Sequence, residues 1–138
     1  MIYETSIKLT VVDKNGNDKV VTNKYIVENA ELFGEVESKL YEVFGGVTGF
    51  EVATIKISKL REIINEAPQG DECKIYFANI CDHIVTDEGD VKDMQYLVAL
   101  HAHDINEAHK AIDQYMKQGM EDMELVGLKC TKYLEVLK

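Results

Sequence analysis

The chain has 138 residues, of which 46% are hydrophobic and 29% charged, the composition of an ordinary globular protein and far from the regime of intrinsic disorder. Its formal net charge of −10 excludes unsegregated attraction to phosphate: a nucleic-acid role requires the lysines to gather on one face, whereas a basic protein partner requires no such sorting. No apolar run reaches the roughly 20 residues that span a bilayer, and Met1-Ile2-Tyr3-Glu4-Thr5-Ser6 lacks the basic-then-apolar order of a secretory signal, so a cytoplasmic protein with no membrane partner is expected.

In chain order, residues 6–12 (Ser-Ile-Lys-Leu-Thr-Val-Val) alternate as a strand, Asp13-Lys14-Asn15-Gly16-Asn17-Asp18 reads as a hairpin turn, and a second strand ends near Val27. Leu32, Phe33, Val36, Leu40, Val43 and Phe44 recur at helical spacing until Gly45-Gly46 stops the run. Residues 51–60 read as a third strand with an apolar tail, Ile63-Ile64. A breaker cluster around Pro68, the one proline, follows.

The series then repeats. Residues 80–85 form a strand, Asp87-Glu88-Gly89-Asp90 a turn, and a further strand ends near Leu100. Ile105, Ala108, Ile112, Tyr115 and Met116 mark a helix that Asp104 caps, with Glu107 at the reciprocal position and Gly119 as the stop. Residues 124–133 match residues 51–60, with Glu124 under Glu51, Lys129 under Lys56 and Lys132 under Lys59; the tail Val136-Leu137 matches Ile63-Ile64. Tyr96-Leu97-Val98 aligns with Tyr25-Ile26-Val27. The chain is therefore expected to be α+β, two tandem ββαβ repeats related by a pseudo-twofold, with antiparallel sheet or sheets and the helices on one face. The copies occupy 1–66 and 73–138, with a connector at 67–72, in one compact unit. One merged sheet and two sheets packed face to face remain equal alternatives.

Strand alternation assigns faces. In the simplest hairpin register Ile7, Leu9, Val11 and Ile26 lie under the first helix, and Ile80, Ile84, Leu97 and Ala99 under the second, joined by Ala53, Ile55, Ile57, Val126, Leu128 and Cys130. The other face then carries Lys8, Tyr25, Thr54, Lys56 and Ser58 in one copy and His83, Tyr96, Lys129, Thr131 and Tyr133 in the other. Lysines contact phosphates and tyrosine rings stack on bases for roughly 1–3 kcal/mol each, so Lys8, Tyr25, Lys56, Tyr96, Lys129 and Tyr133 form the candidate nucleic-acid face, with single-stranded DNA as its partner. The same residue types also occupy any solvated sheet face, and Val27, Val98 and Leu125 on this side would suit burial between the repeats or in a homo-oligomer. The alternative partner is a basic protein meeting the acidic helices (Glu31, Glu35, Glu37, Glu42, Glu107, Asp113, Glu121, Asp122) in an assembly or inhibitory role.

Other combinations carry less. Cys73, Cys81 and Cys130 lie outside any C-x-x-C unit and fit reduced thiols. His101 and His103 share a strand face, but Asp104 is taken by the helix cap and no third ligand stands at a motif spacing. Cys81 and His83 share a face without an orienting third group. Gly45-Gly46-Val47-Thr48-Gly49 follows a helix instead of preceding one and lacks the Lys-Ser/Thr of a phosphate loop. The residues thus assign no catalytic group, no metal ligand and no cofactor, and the chain is read as a non-enzymatic module.

Tyr3-Glu4 at the start, Lys24-Tyr25-Ile26-Val27 before the first helix, Gln95-Tyr96-Leu97-Val98 before the second, and a long strand with a central lysine closing each copy resemble an uncharacterised family, a domain of unknown function of gut Bacteroidales bacteria and crAss-like phages. The helix start around residues 28–33 departs from that pattern by one extra residue. The resemblance implies no activity and transfers no functional residue; it implies a phage or mobile-element setting, in replication or assembly.

Overall fold

The computed structural model describes residues 1–66, 72–118 and 122–138; Pro68 and most of the expected connector, the helix stop at Gly119, and Glu121 lie outside them. The order of elements is β1 (Tyr3–Val12), β2 (Asp18–Val27), α1 (Phe33–Phe44), β3 (Glu51–Ile57), β4 (Leu60–Ile64), β5 (Lys74–Val85), β6 (Val91–Ala102), α2 (Ile105–Lys117), β7 (Asp122–Cys130) and β8 (Tyr133–Leu137). The fold is α+β, with two four-stranded sheets in the orders β3-β1-β2-β8 and β4-β6-β5-β7. β1 pairs antiparallel with β2 and β3, and β5 with β6 and β7. No helix among the described residues is long and apolar enough to cross a membrane.

The expected third strands are interrupted. β3 ends at Ile57 and β7 at Cys130, and a fourth strand follows each, β4 and β8. These strands change sheets: β8 pairs parallel with β2, and β4 pairs parallel with β6. Each sheet therefore takes three strands from one copy and its last strand from the other. By backbone contacts one unit comprises 1–58 with 132–138 and the other 59–131, so the chain crosses at Ser58/Lys59 and again at Thr131/Lys132, matching positions of the two copies.

Hairpin loop length sets the register of β2 and β6. Val12 pairs with Asp18 and Val85 with Val91, leaving loops of five residues, 13–17 and 86–90. The Asp13 carboxylate accepts from the backbone N–H of Asn15 and of Asn17 (2.8 and 2.9 Å), and Gly16 supplies the positive φ of 79° that the return requires. An odd loop sets odd-numbered residues opposite odd-numbered ones, so Tyr25 faces Thr5 and Val27 faces Tyr3. Tyr25 and Val27 consequently lie under α1, in a core with Tyr3, Ile7, Leu9, Val36 and Leu40. Ile26, expected there, is on the other side. The second copy behaves alike: Tyr96 pairs with Ile80 and Val98 with Ala78 on the α2 side, while Leu97 and Ala99 point away. The structural counterpart of Tyr25 is Val98, not Tyr96.

Bulges correct the third strands as well. The β1–β3 register slips between Ser6 and Ile7, and the β5–β7 register between Asn79 and Ile80. Ala53 and Val126 become the extra residues, and Val52 and Leu125 take their places in the cores. The expected placements of Ile7, Leu9, Ile55, Ile80 and Leu128 under the helices stand, as does the Asp104 cap, whose carboxylate accepts from Glu107 N–H at 2.8 Å. Gly49, at φ 71°, packs so close to Thr10 that a Cβ there would lie 2.1 Å from its hydroxyl oxygen, which fixes the chain's return from α1 into β3.

Tyr25 is 6% exposed and its ring lies 4.8 Å from that of Phe44. Tyr25→Ala is therefore expected to cost about 3–5 kcal/mol, and Lys24→Ala less than about 0.5 kcal/mol, in urea unfolding followed by circular dichroism. Near-equal small losses would place Tyr25 on an open face.

Candidate functional site

The face of the first sheet turned away from α1 is formed by even-numbered residues of β1 and β2. Ser6 pairs with both Lys24 and Thr54, and Glu4 pairs with both Ile26 and Lys56. Lys24 stands beside Tyr133 at the start of β8. Together Glu4, Thr5, Ser6, Lys24, Thr54, Lys56 and Tyr133 line a depression of about 180 Å³. Short side chains at Ser6 and Thr54, whose hydroxyl oxygens lie 2.6 Å apart, leave the hollow between the longer Lys24, Lys56 and Tyr133.

Tyr133 reaches the site because β8 begins just after the second crossing. Its hydroxyl donates to Glu4 Oε1 at 2.5 Å, and the Lys24 ammonium lies 5.9 Å from its ring centroid, within cation–π range. Burial first, and then the Glu4 carboxylate, push the Tyr133 hydroxyl above the ordinary tyrosine value, so it remains a donor across the neutral range. Lys8 continues the face one step beyond Ser6, opposite Thr22 and Glu51. Among the residues that line the depression, Lys24 and Lys56 stand against Glu4, a local positive surplus in a chain of net charge −10.

Of the six residues read from the sequence, Lys8, Lys56 and Tyr133 share this face. Tyr25 lies on the reverse side, buried. Tyr96 and Lys129 belong to the second sheet. Tyr96 faces α2, with the Arg61 guanidinium 4.4 Å from its ring centroid and its hydroxyl donating to Met123 Sδ at 3.6 Å. Lys129 is exposed on the far side, opposite Phe77. The sequence reading missed Lys24, Ser6 and Glu4; counting loop residues for parity would have exchanged Tyr25 for Lys24.

Two further clusters involve residues the sequence reading had set aside. Cys73 Sγ lies 3.5 Å from His103 Nε2, and Glu107 holds His103 Nδ1 at 3.0 Å. This is a thiol–imidazole–carboxylate order that the sequence did not reveal, since Cys73 and His103 come from β-strand and helix margins far apart in the chain. The group is exposed to solvent and lacks the dry surroundings that strengthen nucleophilic chemistry. On the second sheet, His83 Nδ1 lies 2.6 Å from Asp93 and Nε2 3.5 Å from Glu124. The hydrogen bond to Asp93, reinforced by Glu124, raises His83 above the ordinary imidazole value despite partial desolvation. Asp93 is the third group that spacing alone could not supply.

A family model described as a domain of unknown function, DUF4494, matches residues 1–138. No curated protein and no solved structure matches the chain.

The Tyr133–Glu4 contact has a pH signature. Because the folded value of Tyr133 is raised, its contribution to stability is fully present below the ordinary tyrosine range and is lost as pH rises through the folded value. Tyr133→Phe is expected to lower the amplitude of the late step in the ultraviolet tyrosinate titration, which Tyr115 shares, and to flatten the alkaline fall in stability; an unchanged late amplitude would show that Tyr133 does not titrate late.

Proposed function

We propose that this chain, which belongs to the DUF4494 family, is a non-enzymatic module that binds single-stranded nucleic acid on the face of its first sheet turned away from α1. The observation that supports the reading is the depression itself, which Lys24, Lys56 and Tyr133 line together. Lys8, Lys24 and Lys56 offer three phosphate contacts along the strands, Tyr133 a surface for one base, and Ser6 and Thr54 hydroxyls for sugar or base edges. The net charge of −10 disfavours a broad duplex footprint and favours one narrow track. The resemblance to a family of Bacteroidales and crAss-like phages suggests replication of a phage or mobile element as the setting.

Three phosphate contacts on a single strand correspond to a slope of roughly −2 in log affinity against log salt. Fluorescence anisotropy with a labelled single-stranded oligonucleotide is expected to show that slope. Lys24→Glu with Lys56→Glu should abolish binding, and Lys129→Glu should leave it within about twofold, since that lysine lies on the other sheet. Absence of binding by the folded protein at low salt overturns the proposal. The remaining candidate is then the exposed acidic residues of α1, Glu35 and Glu42 on one side and Glu37 on another, as contacts for a basic protein.

A further inference from the structure

We infer that Cys81, His83 and Asp93 form a binding site for a zinc-class divalent metal on the second sheet. β5 carries Cys81 and His83 on one face, two residues apart, and β6 brings Asp93 directly opposite His83. One ligand atom from each of the three lies within 4.8 Å of the other two. Tetrahedral zinc, with bonds of about 2.0–2.3 Å, holds its ligand atoms roughly 3.3–3.7 Å apart. The present spacing thus needs only side-chain adjustment, and Asp93, 61% exposed, is free to make it. Thiolate, imidazole and carboxylate together suit zinc or cobalt over calcium or magnesium, which prefer oxygen donors alone.

The second nitrogen of His83 has its own partner. With the metal at Nδ1, Nε2–H points toward Glu124 Oε2 at 3.5 Å, the carboxylate–imidazole–metal order that fixes a ligand's tautomer and orientation. Glu124 is thus a positioning residue, placed by β7 opposite Cys81. Binding removes the thiol proton of Cys81 to solvent and exchanges the Asp93–His83 hydrogen bond for two metal bonds. Three protein ligands leave a fourth position for water or an anion.

The test uses the full chain, stripped of metal by a chelator and titrated with Co²⁺ alone and then with Zn²⁺. One equivalent of Co²⁺ is expected to give the intense visible bands of a four-coordinate ion with a near-ultraviolet thiolate-to-cobalt band, and Zn²⁺ to displace both. Cys81→Ser should abolish the near-ultraviolet band, while Cys73→Ser with Cys130→Ser should keep it. Glu124→Gln should weaken affinity by about 10–100-fold with the band retained. Because Cys81 is buried, Asp93→Asn at an exposed position serves as a second variant, expected to lose tight binding without loss of fold by circular dichroism. The weak spectrum of the aqueous ion, or a thiolate band that survives Cys81→Ser, overturns the inference.

Discussion

The odd length of two hairpin loops governs this structure. With five residues between Val12 and Asp18, and five between Val85 and Val91, every residue of β2 and β6 has its face decided. The choice is enforced energetically, because a slip of one residue would carry Tyr25 and Val27 out of the first core and bring Lys24 in. Desolvating an unpaired lysine costs several kcal/mol, more than a loop conformation is worth. The Asp13 carboxylate and the positive φ of Gly16 make the five-residue return favourable locally, so turn chemistry and core packing agree. The lysine-lined hollow around Tyr133 exists because of this parity.

The second organising feature is the exchange of last strands. β2 and β6 would otherwise be sheet edges with unpaired backbone groups; β8 and β4 cover them in parallel register. Glu28 N–H donates to Leu137 carbonyl at 2.9 Å at the end of one such seam, and Leu137 packs on the first core. The exchange also determines composition at the candidate site. Tyr133 comes from the second copy of the sequence, while Glu4, Lys24 and Lys56 come from the first. The equivalent of Tyr133 in the other sheet is Leu60, which is buried, so the two similar scaffolds differ at this position.

Much of the fold was legible in the residues. The duplication, both helices, the strand order within each hairpin and the Asp104 cap follow from alternation, helical spacing and turn residues. The break at Ser58-Lys59 and its match at Thr131-Lys132 were not, because neither contains glycine or proline and β-branched residues continue on both sides. Partner choice for a terminal strand depends on long-range packing, which leaves no local signature. The site was partly legible: Lys8 and Lys56 follow from alternation, Lys24 was lost to the loop parity, and Tyr133, placed by alternation on the second copy's face, reaches this one only through the exchange of β8. The apparent kinship of Tyr25 with Tyr96 arose from similar words two positions out of structural register. Cys81, His83 and Asp93 illustrate the same limit, since the third member comes from the neighbouring strand.

The most direct test of the account is the pairing of β1 with β2, read from nuclear Overhauser contacts in solution. The account predicts cross-strand contacts of Thr5 with Tyr25 and Tyr3 with Val27, and ring contacts between Tyr25 and Phe44. Contacts of Tyr25 with Lys56 or Tyr133 in their place would contradict it, and with it the hollow on which the proposed binding face depends.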